Sequence, residues 1–356
     1  AVELAQDMPI ETAGDSTAVI RRTPLGALLC IVPWNFPVHL SMRFVAANLA
    51  VGNTVVLKPD PHCPETAAAL QQVLDDAGVP PGAVVTVRAT NEQVANMIAD
   101  ARIAGVSLTG SSRAGSAVAE IAGRHLTKVS LELGGSDPFV VLSADDLDAV
   151  VETAYWGRMN FFGQACVAAK RFVVIDGLYD TFVDRLVARM RAAGVGDVDA
   201  DEVEVGALCS LEAAERVEAQ VRTAVEQGAT LVAGGERDGA VVTPGVLADV
   251  GPDNAMRGQE IFGPVAMVHR VIDEAEAVAV ANDTPYGLGA YVFSTDPEQA
   301  ERVADAIDAG MVRINAGMNV SPELPFGGVK ATGNGREEGL MAADEFVNMK
   351  LIYTAH

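Results

Sequence analysis

A thiol, a carboxylate and a carboxamide stand in segments bracketed by glycine or proline in this 356-residue chain. Cys166 closes Phe161-Phe162-Gly163-Gln164-Ala165-Cys166, Glu132 sits in Leu131-Glu132-Leu133-Gly134-Gly135, and Asn35 in Pro33-Trp34-Asn35-Phe36-Pro37. Gln259-Glu260-Ile261-Phe262-Gly263-Pro264 follows downstream. An ionised thiol attacks carbonyl carbon. A carboxamide and the backbone N–H of Cys166 can hold the oxyanion that forms, a contribution of several kcal/mol to the barrier. A carboxylate between leucines has a raised pKa and takes a proton from the water that hydrolyses a thioester. Each residue also has a plainer reading: a buried structural cysteine, a strand-end glutamate in an ion pair, an asparagine capping a turn. The four motifs in this order favour the chemistry. Cys30, Cys63 and Cys209 have no such setting and read as structural.

Composition narrows the class. The chain is 49% hydrophobic and 21% charged, which is globular. Its net charge of −23 disfavours nucleic acid and anionic membranes as partners. Lysine occurs only at 58, 128, 170, 330 and 350. With abundant Asp, Glu, Ala and Val, that scarcity points to a high-salt cytoplasm or a GC-rich genome. The longest apolar stretch, 24–40, is interrupted by Pro33 and Pro37 and is too kinked for a membrane span. No secretory leader is evident. Four cysteines without CxxC spacing and five scattered histidines argue against a metal site. A free reactive thiol fits a reducing cytoplasm.

The positioning elements read as alternating strands and helices. Strands are expected over 27–32, 53–59, 83–87 and 105–108. Helices are expected over 40–50, 65–77 and 91–100 and after Ser112. A second series has strands over 137–142 and 171–175 and helices over 147–162, 179–193 and 211–227. An acidic surface loop lies between, at 197–204. This rhythm predicts α/β architecture with parallel, doubly wound sheets, whose active loops lie at the strand C-terminal ends. Gly110-Ser111 with Gly115, between a strand and a helix, suits a pyrophosphate.

The motifs PWNFP (33–37), VVLKP (55–59), TGS (109–111), LELGG (131–135), GQAC (163–166), EIFGPV (260–265) and PFGGVK (325–330) resemble those of the NAD(P)-dependent aldehyde dehydrogenase superfamily. The resemblance runs from about Met8 to the end. It implies two doubly wound parallel-sheet domains and a small β oligomerisation element. The implied divisions are oligomerisation strands in 1–24 and 347–356, a cofactor domain over 25–135, a catalytic domain over 136–330 and a return segment over 331–346. Members usually carry a further segment ahead of the position matching residue 1, so part of the cofactor domain is expected to be missing.

The resemblance makes Cys166 the nucleophile, Glu132 the general base and Asn35 the oxyanion donor. It gives the cofactor Trp34 as a wall, Lys58 at the adenosine ribose, Gly110, Ser111 and Gly115 near the pyrophosphate, Leu133, Glu260 at the nicotinamide ribose, and Phe262 beside it. Pro61 stands where NAD-preferring relatives often hold Glu. With Asp60 and His62 on either side, NAD and NADP both remain open.

Similarity to bacterial succinate-semialdehyde dehydrogenases in 131–139, 168–172 and 321–328 implies a semialdehyde, with Arg43 at its far carboxylate. Asn160 replaces a second arginine that some of that group carry. Residues 39–43 and 58–61 also resemble vanillin- and benzaldehyde-type enzymes, for which Phe36, Trp156, Phe161 and Phe162 would form an aromatic wall. A cysteine-dependent hydrolase or acyltransferase and an inactive assembly fragment are the readings from other classes. The segments 16–22 and 349–354 imply a homodimer or homotetramer built through edge strands.

Overall fold

The computed structural model describes residues 6–355; residues 1–5 and His356, assigned above to the ends of the oligomerisation segments, lie outside the described residues. Two compact units are present. The first comprises 1–133, 320–327 and 333–356, and the second 134–319 and 328–332.

In chain order the first part holds β1 (Met8–Ile10), β2 (Thr17–Pro24), β3 (Ala27–Ile31), α1 (Pro37–Ala50), β4 (Thr54–Lys58), α2 (Pro64–Asp76), β5 (Val84–Thr86), α3 (Asn91–Ala99), β6 (Ile103–Thr109), α4 (Ser112–His125) and β7 (Lys128–Glu132). There follow β8 (Asp137–Val141), α5 (Leu147–Met159), β9 (Ala169–Ile175), α6 (Asp176–Ala192), α7 (Leu211–Glu226), β10 (Thr230–Ala233), β11 (Arg237–Asp238), β12 (Val241–Val242), β13 (Gly245–Ala248) and β14 (Val265–Val271). The chain ends with α8 (Glu274–Asn282), β15 (Tyr286–Gly287), β16 (Gly289–Phe293), α9 (Pro297–Ala306), β17 (Met311–Ile314), β18 (Val329–Lys330), β19 (Gly333–Asn334), α10 (Met341–Glu345) and β20 (Val347–Thr354).

The first unit has a six-stranded sheet in the order β19-β7-β6-β3-β4-β5, parallel except for β19. Leu28 and Cys30 face one core with Phe44, Leu57 and Phe346. Leu29, between them, faces the other with Val106, Leu131 and Leu133. This period-two split of an unbroken apolar run marks a parallel strand buried on both faces. From β3 the chain goes to β4 on one side and later returns to β6 on the other. The turns after β3 and β6 therefore open at the reversal of strand order, where α/β folds bind ligands.

In the second unit the order is β10-β13-β14-β9-β8-β16-β17, with only β10 antiparallel. Phe139, Val141, Phe172 and Val174 pack on one face, and Val140, Val173 and Val292 on the other. A separate three-stranded sheet, β1-β2-β20, belongs to the first unit. There β2 and β20 pair antiparallel from Thr17↔Thr354 to Pro24↔Val347.

The expected helix over 147–162 is corrected by the structure. It ends at Met159, and Phe161 and Phe162 take left-handed conformations at φ 50° and 57°. The cause lies just beyond. Gly163 turns at φ 75°, and a Cβ there would lie 2.3 Å from the Gly263 carbonyl oxygen. The Arg158 guanidinium also donates to the Gly163 carbonyl at 2.7 Å. Close approach to the 263 loop thus overrides helical propensity. The helix expected over 179–193 starts earlier, at Asp176, directly from β9. Strand β7 lies outside the expected strand series, and Glu132 is its last residue, in line with the strand-end reading of that glutamate.

Candidate active site

In the first unit the turn after β3 carries Trp34 and Asn35, and Pro37 at the first helical position starts α1. Asn35 is buried. Glu132 ends β7; its carbonyl accepts from the Gly110 N–H at 2.9 Å, which ties the base candidate to the glycine turn after β6. Its side chain is 3% exposed, and neither carboxylate oxygen has a hydrogen-bond partner among the described residues. A Cβ at Gly327, in the PFGG segment, would lie 2.9 Å from Glu132 Oε1. Burial pushes the Glu132 carboxyl well above the usual carboxylate range; Glu337 adds to the rise, while Arg43 and Arg336 oppose it.

Arg43 is also buried, on α1. It pairs with Glu337 and lies 4.3 Å from the centroid of the Phe326 ring. Arg43 is thus not a cation of the helix surface, because α1 turns that face into the unit. Glu337 went unnoticed in the sequence, since an acidic residue in Arg-Glu-Glu-Gly gives no signal of burial.

The cofactor candidates of this unit cluster at strand C-terminal ends. Lys58, Pro61, Arg88 and Gln93 line a cavity of about 710 Å³ beyond β4 and β5. Among the described residues neither the Lys58 ammonium nor the Arg88 guanidinium has a hydrogen-bond or ion-pair partner, although the Lys58 backbone carbonyl accepts from the Val32 N–H at 3.1 Å. His62 holds Asp60 through Nδ1 at 2.6 Å and its backbone N–H at 3.0 Å. Ser111 caps α4 by accepting from the Ala114 N–H, and the first turn of that helix carries no acidic residue. A Cβ at Gly115 would meet Leu133 Cδ1 at 2.6 Å, so the α4 glycine admits the Leu133 side chain. Such an arrangement fits a dinucleotide: unpaired cations and a concave site at the strand ends, and an anion-tolerant helix N-terminus.

In the second unit Cys166 occupies the turn between the Asn160–Gly163 helical turn and β9, half-buried. Phe162 stacks on Phe161 with centroids 5.9 Å apart and packs against the core. Together with Trp156, Asn160 and Met318 these rings line a cavity of about 780 Å³. Of them, Trp156 and Phe161 are exposed. Glu260 receives the Gly135 N–H at 3.2 Å, and its Oε1 lies 3.4 Å from Lys170 Nζ. The Phe262 ring centroid is 6.0 Å from the same ammonium. Lys170 is fully buried, and the sequence reading gave it no role.

Residues 1–352 match the aldehyde dehydrogenase family, and the chain belongs to that family. It is 52% identical to the succinate-semialdehyde dehydrogenase [NADP(+)] of Deinococcus radiodurans over 94% of this chain and 71% of that protein. Identity to succinate-semialdehyde dehydrogenase [NADP(+)] 1 of Mycobacterium tuberculosis is 43%, over 99% of this chain and 78% of that one. Succinic semialdehyde dehydrogenase from Streptococcus pyogenes, solved with NADP+ as cofactor, superposes with a TM-score of 0.97 at 40% identity, covering 100% of this chain and 78% of that chain. Among the described residues no helix is long and apolar enough to cross a membrane.

Proposed function

We propose that this chain oxidises succinate semialdehyde to succinate with NADP as the hydride acceptor. One observation carries the reaction type: the Glu132 carboxylate is buried, and neither oxygen has a hydrogen-bond partner among the described residues. A carboxylate in that state has the raised basicity suited to taking a proton from water. The substrate and the phosphate on the cofactor rest on the relatives' activities. Aromatic-aldehyde, hydrolase and inactive-fragment readings are not favoured.

In this proposal Cys166 Sγ bonds to the aldehyde carbon and the carbonyl π pair moves to oxygen. The Asn35 amide and the Cys166 backbone N–H hold that oxyanion. A nicotinamide held there would accept the hydride from that carbon, whose oxidation leaves a thioester on Cys166. Glu132 then takes a proton from water as its oxygen adds to the thioester carbon, and the Cys166 thiolate leaves with its bonding pair. Trp34, Lys58, Pro61, Gly110, Ser111, Gly115 and Leu133 in the first unit would hold the cofactor, with Glu260 and Phe262 in the second. These assignments make the first unit the cofactor-binding domain and the second the catalytic domain. Phe162 would wall the substrate, and Arg43, sharing its guanidinium with Glu337, would take the far carboxylate.

A homodimer or homotetramer assembled through β20 is part of the proposal. Its edge exposes Met349, Leu351 and Tyr353 on alternate positions. A reducing cytoplasm is the matching compartment for a free thiol. The deciding experiment is steady-state turnover of succinate semialdehyde, butanal and benzaldehyde with NADP and with NAD. The highest kcat/KM should fall on succinate semialdehyde with NADP. Preference for benzaldehyde, or no reduction of either cofactor, would overturn the reading. Light scattering should give a dimer or tetramer; a fully active monomer would remove the assembly claim.

A further inference from the structure

The buried Lys170 is one of only five lysines in the chain. It is the second residue of β9, four positions after Cys166. Its ammonium donates to three backbone carbonyls: Cys166 at 2.6 Å, Ala165 at 3.0 Å and Ala168 at 3.2 Å. Three acceptors match the three N–H bonds of an ammonium, whereas a neutral amine would turn its lone pair on one of those oxygens. The charged form is therefore the one that this cradle is built for. Burial leaves the Lys170 pKa below its ordinary value; Glu260 and Asp137 offset part of that fall, Arg158 adds to it, and the thiolate form of Cys166 favours the ammonium.

The same nitrogen lies 3.4 Å from Glu260 Oε1, and that oxygen accepts from the Gly135 N–H. Gly135 leaves no room for a side chain, because a Cβ there would be 2.9 Å from the Cys166 carbonyl oxygen. Tyr291 adds another tether, donating to the Val167 carbonyl at 2.8 Å. The nucleophile turn is thus held from below by one fixed cation, and that cation is shared with a carboxylate.

We propose that Lys170 is the positioning residue that activates Cys166, its cradled ammonium stabilising the thiolate, and that Glu260 sets how much of this field the thiol receives. The proton that ionisation releases goes to solvent. A cation held by hydrogen bonds in a buried setting is weakly screened, so its effect on a neighbouring thiol is large. Within the second unit the groups whose charge acts on Lys170 include Glu260, Asp137, Arg158 and Cys166, and Cys166 also acts on Tyr291. Glu260 is also assigned to the cofactor in the proposed function, so the inference rests on that reading for its biological use. The chemistry itself does not.

The test is the pH dependence of iodoacetamide alkylation at Cys166 in the full chain without cofactor, followed on the Cys166 peptide by mass spectrometry. Lys170→Met should move the midpoint up by about one pH unit, and Glu260→Gln should move it down. The opposite signs separate a field effect from general loosening, which would raise reactivity in both variants. If Lys170→Met does not fold, Glu260→Gln still decides the matter. An unchanged midpoint in Glu260→Gln, or an unchanged or lowered midpoint in folded Lys170→Met, would overturn the proposal. Because no aldehyde or cofactor enters the assay, failure here is distinct from failure of the dehydrogenase reading.

Discussion

Glu132 and Lys170 are both buried ionisable groups, and the protein treats them in opposite ways. Lys170 has every N–H filled by a backbone carbonyl, with a carboxylate alongside. Among the described residues neither Glu132 oxygen has a partner, and Gly327 sits against one of them. A buried polar group left unsatisfied costs stability, so retaining one is a mark of use in chemistry. A satisfied one costs little and fixes geometry. The pair therefore separates a residue that reacts from a residue that holds, and experiments can attack that division directly.

The largest effect bears on the thiol that both groups serve. Cys166→Ala should abolish aldehyde oxidation while NADP binding, measured by fluorescence titration, survives. Residual oxidation near the wild-type rate would remove Cys166 from the mechanism.

Next comes the reacting carboxylate. Glu132→Gln should release one equivalent of reduced cofactor in a burst and then turn over about 10²–10⁴ times more slowly. Stopped-flow absorbance resolves the two phases. A variant that binds both ligands yet shows no burst would move Glu132 to the acylation step.

A smaller loss is expected when the space around Glu132 is invaded. Gly327 has φ 154°, and an added Cβ would press on Glu132 Oε1. Gly327→Ala should lower kcat roughly tenfold. Alkylation of Cys166 should be unaffected, which distinguishes a displaced base from a damaged nucleophile. Equal loss in both assays would show that the two regions are not separable in this way.

Stability gives the subtlest contrast. The folded pKa of Glu132 is raised, so its favourable contribution is present below the ordinary glutamate range and is lost as pH rises through the raised value. Glu132→Gln should therefore raise Tm by about 2 °C at pH 8 and change it less at pH 5. Lys170→Met leaves Glu260 and three carbonyls without their cation and should lower Tm at both pH values. Calorimetry showing the same sign for both variants at pH 8 would break the comparison.

Much was legible in the chain itself. Alternating apolar runs located most of the strands and helices because a parallel sheet covered on both faces demands continuous hydrophobic residues. Glycine and proline segments marked Cys166, Glu132 and Asn35 because close backbone approach needs those residue types. What the linear pattern concealed was how far each element runs and what each buried charge meets. The helix expected to reach Phe162 stops at Met159, because Gly163 must pass against Gly263, a residue a hundred positions away. Arg43 was marked for the far carboxylate of the substrate, and nothing in the sequence showed that α1 turns it toward Glu337. Lys170 fell just outside the expected strand over 171–175 and carried no signal of its own. Its role depends on three carbonyls presented by the Cys166 turn and a carboxylate from the 260 loop, and only the folded chain brings them to one nitrogen. Local sequence sets propensity and periodicity, which act over a few residues. The partners of a buried charge are contributed by distant segments, so tertiary structure alone decides them.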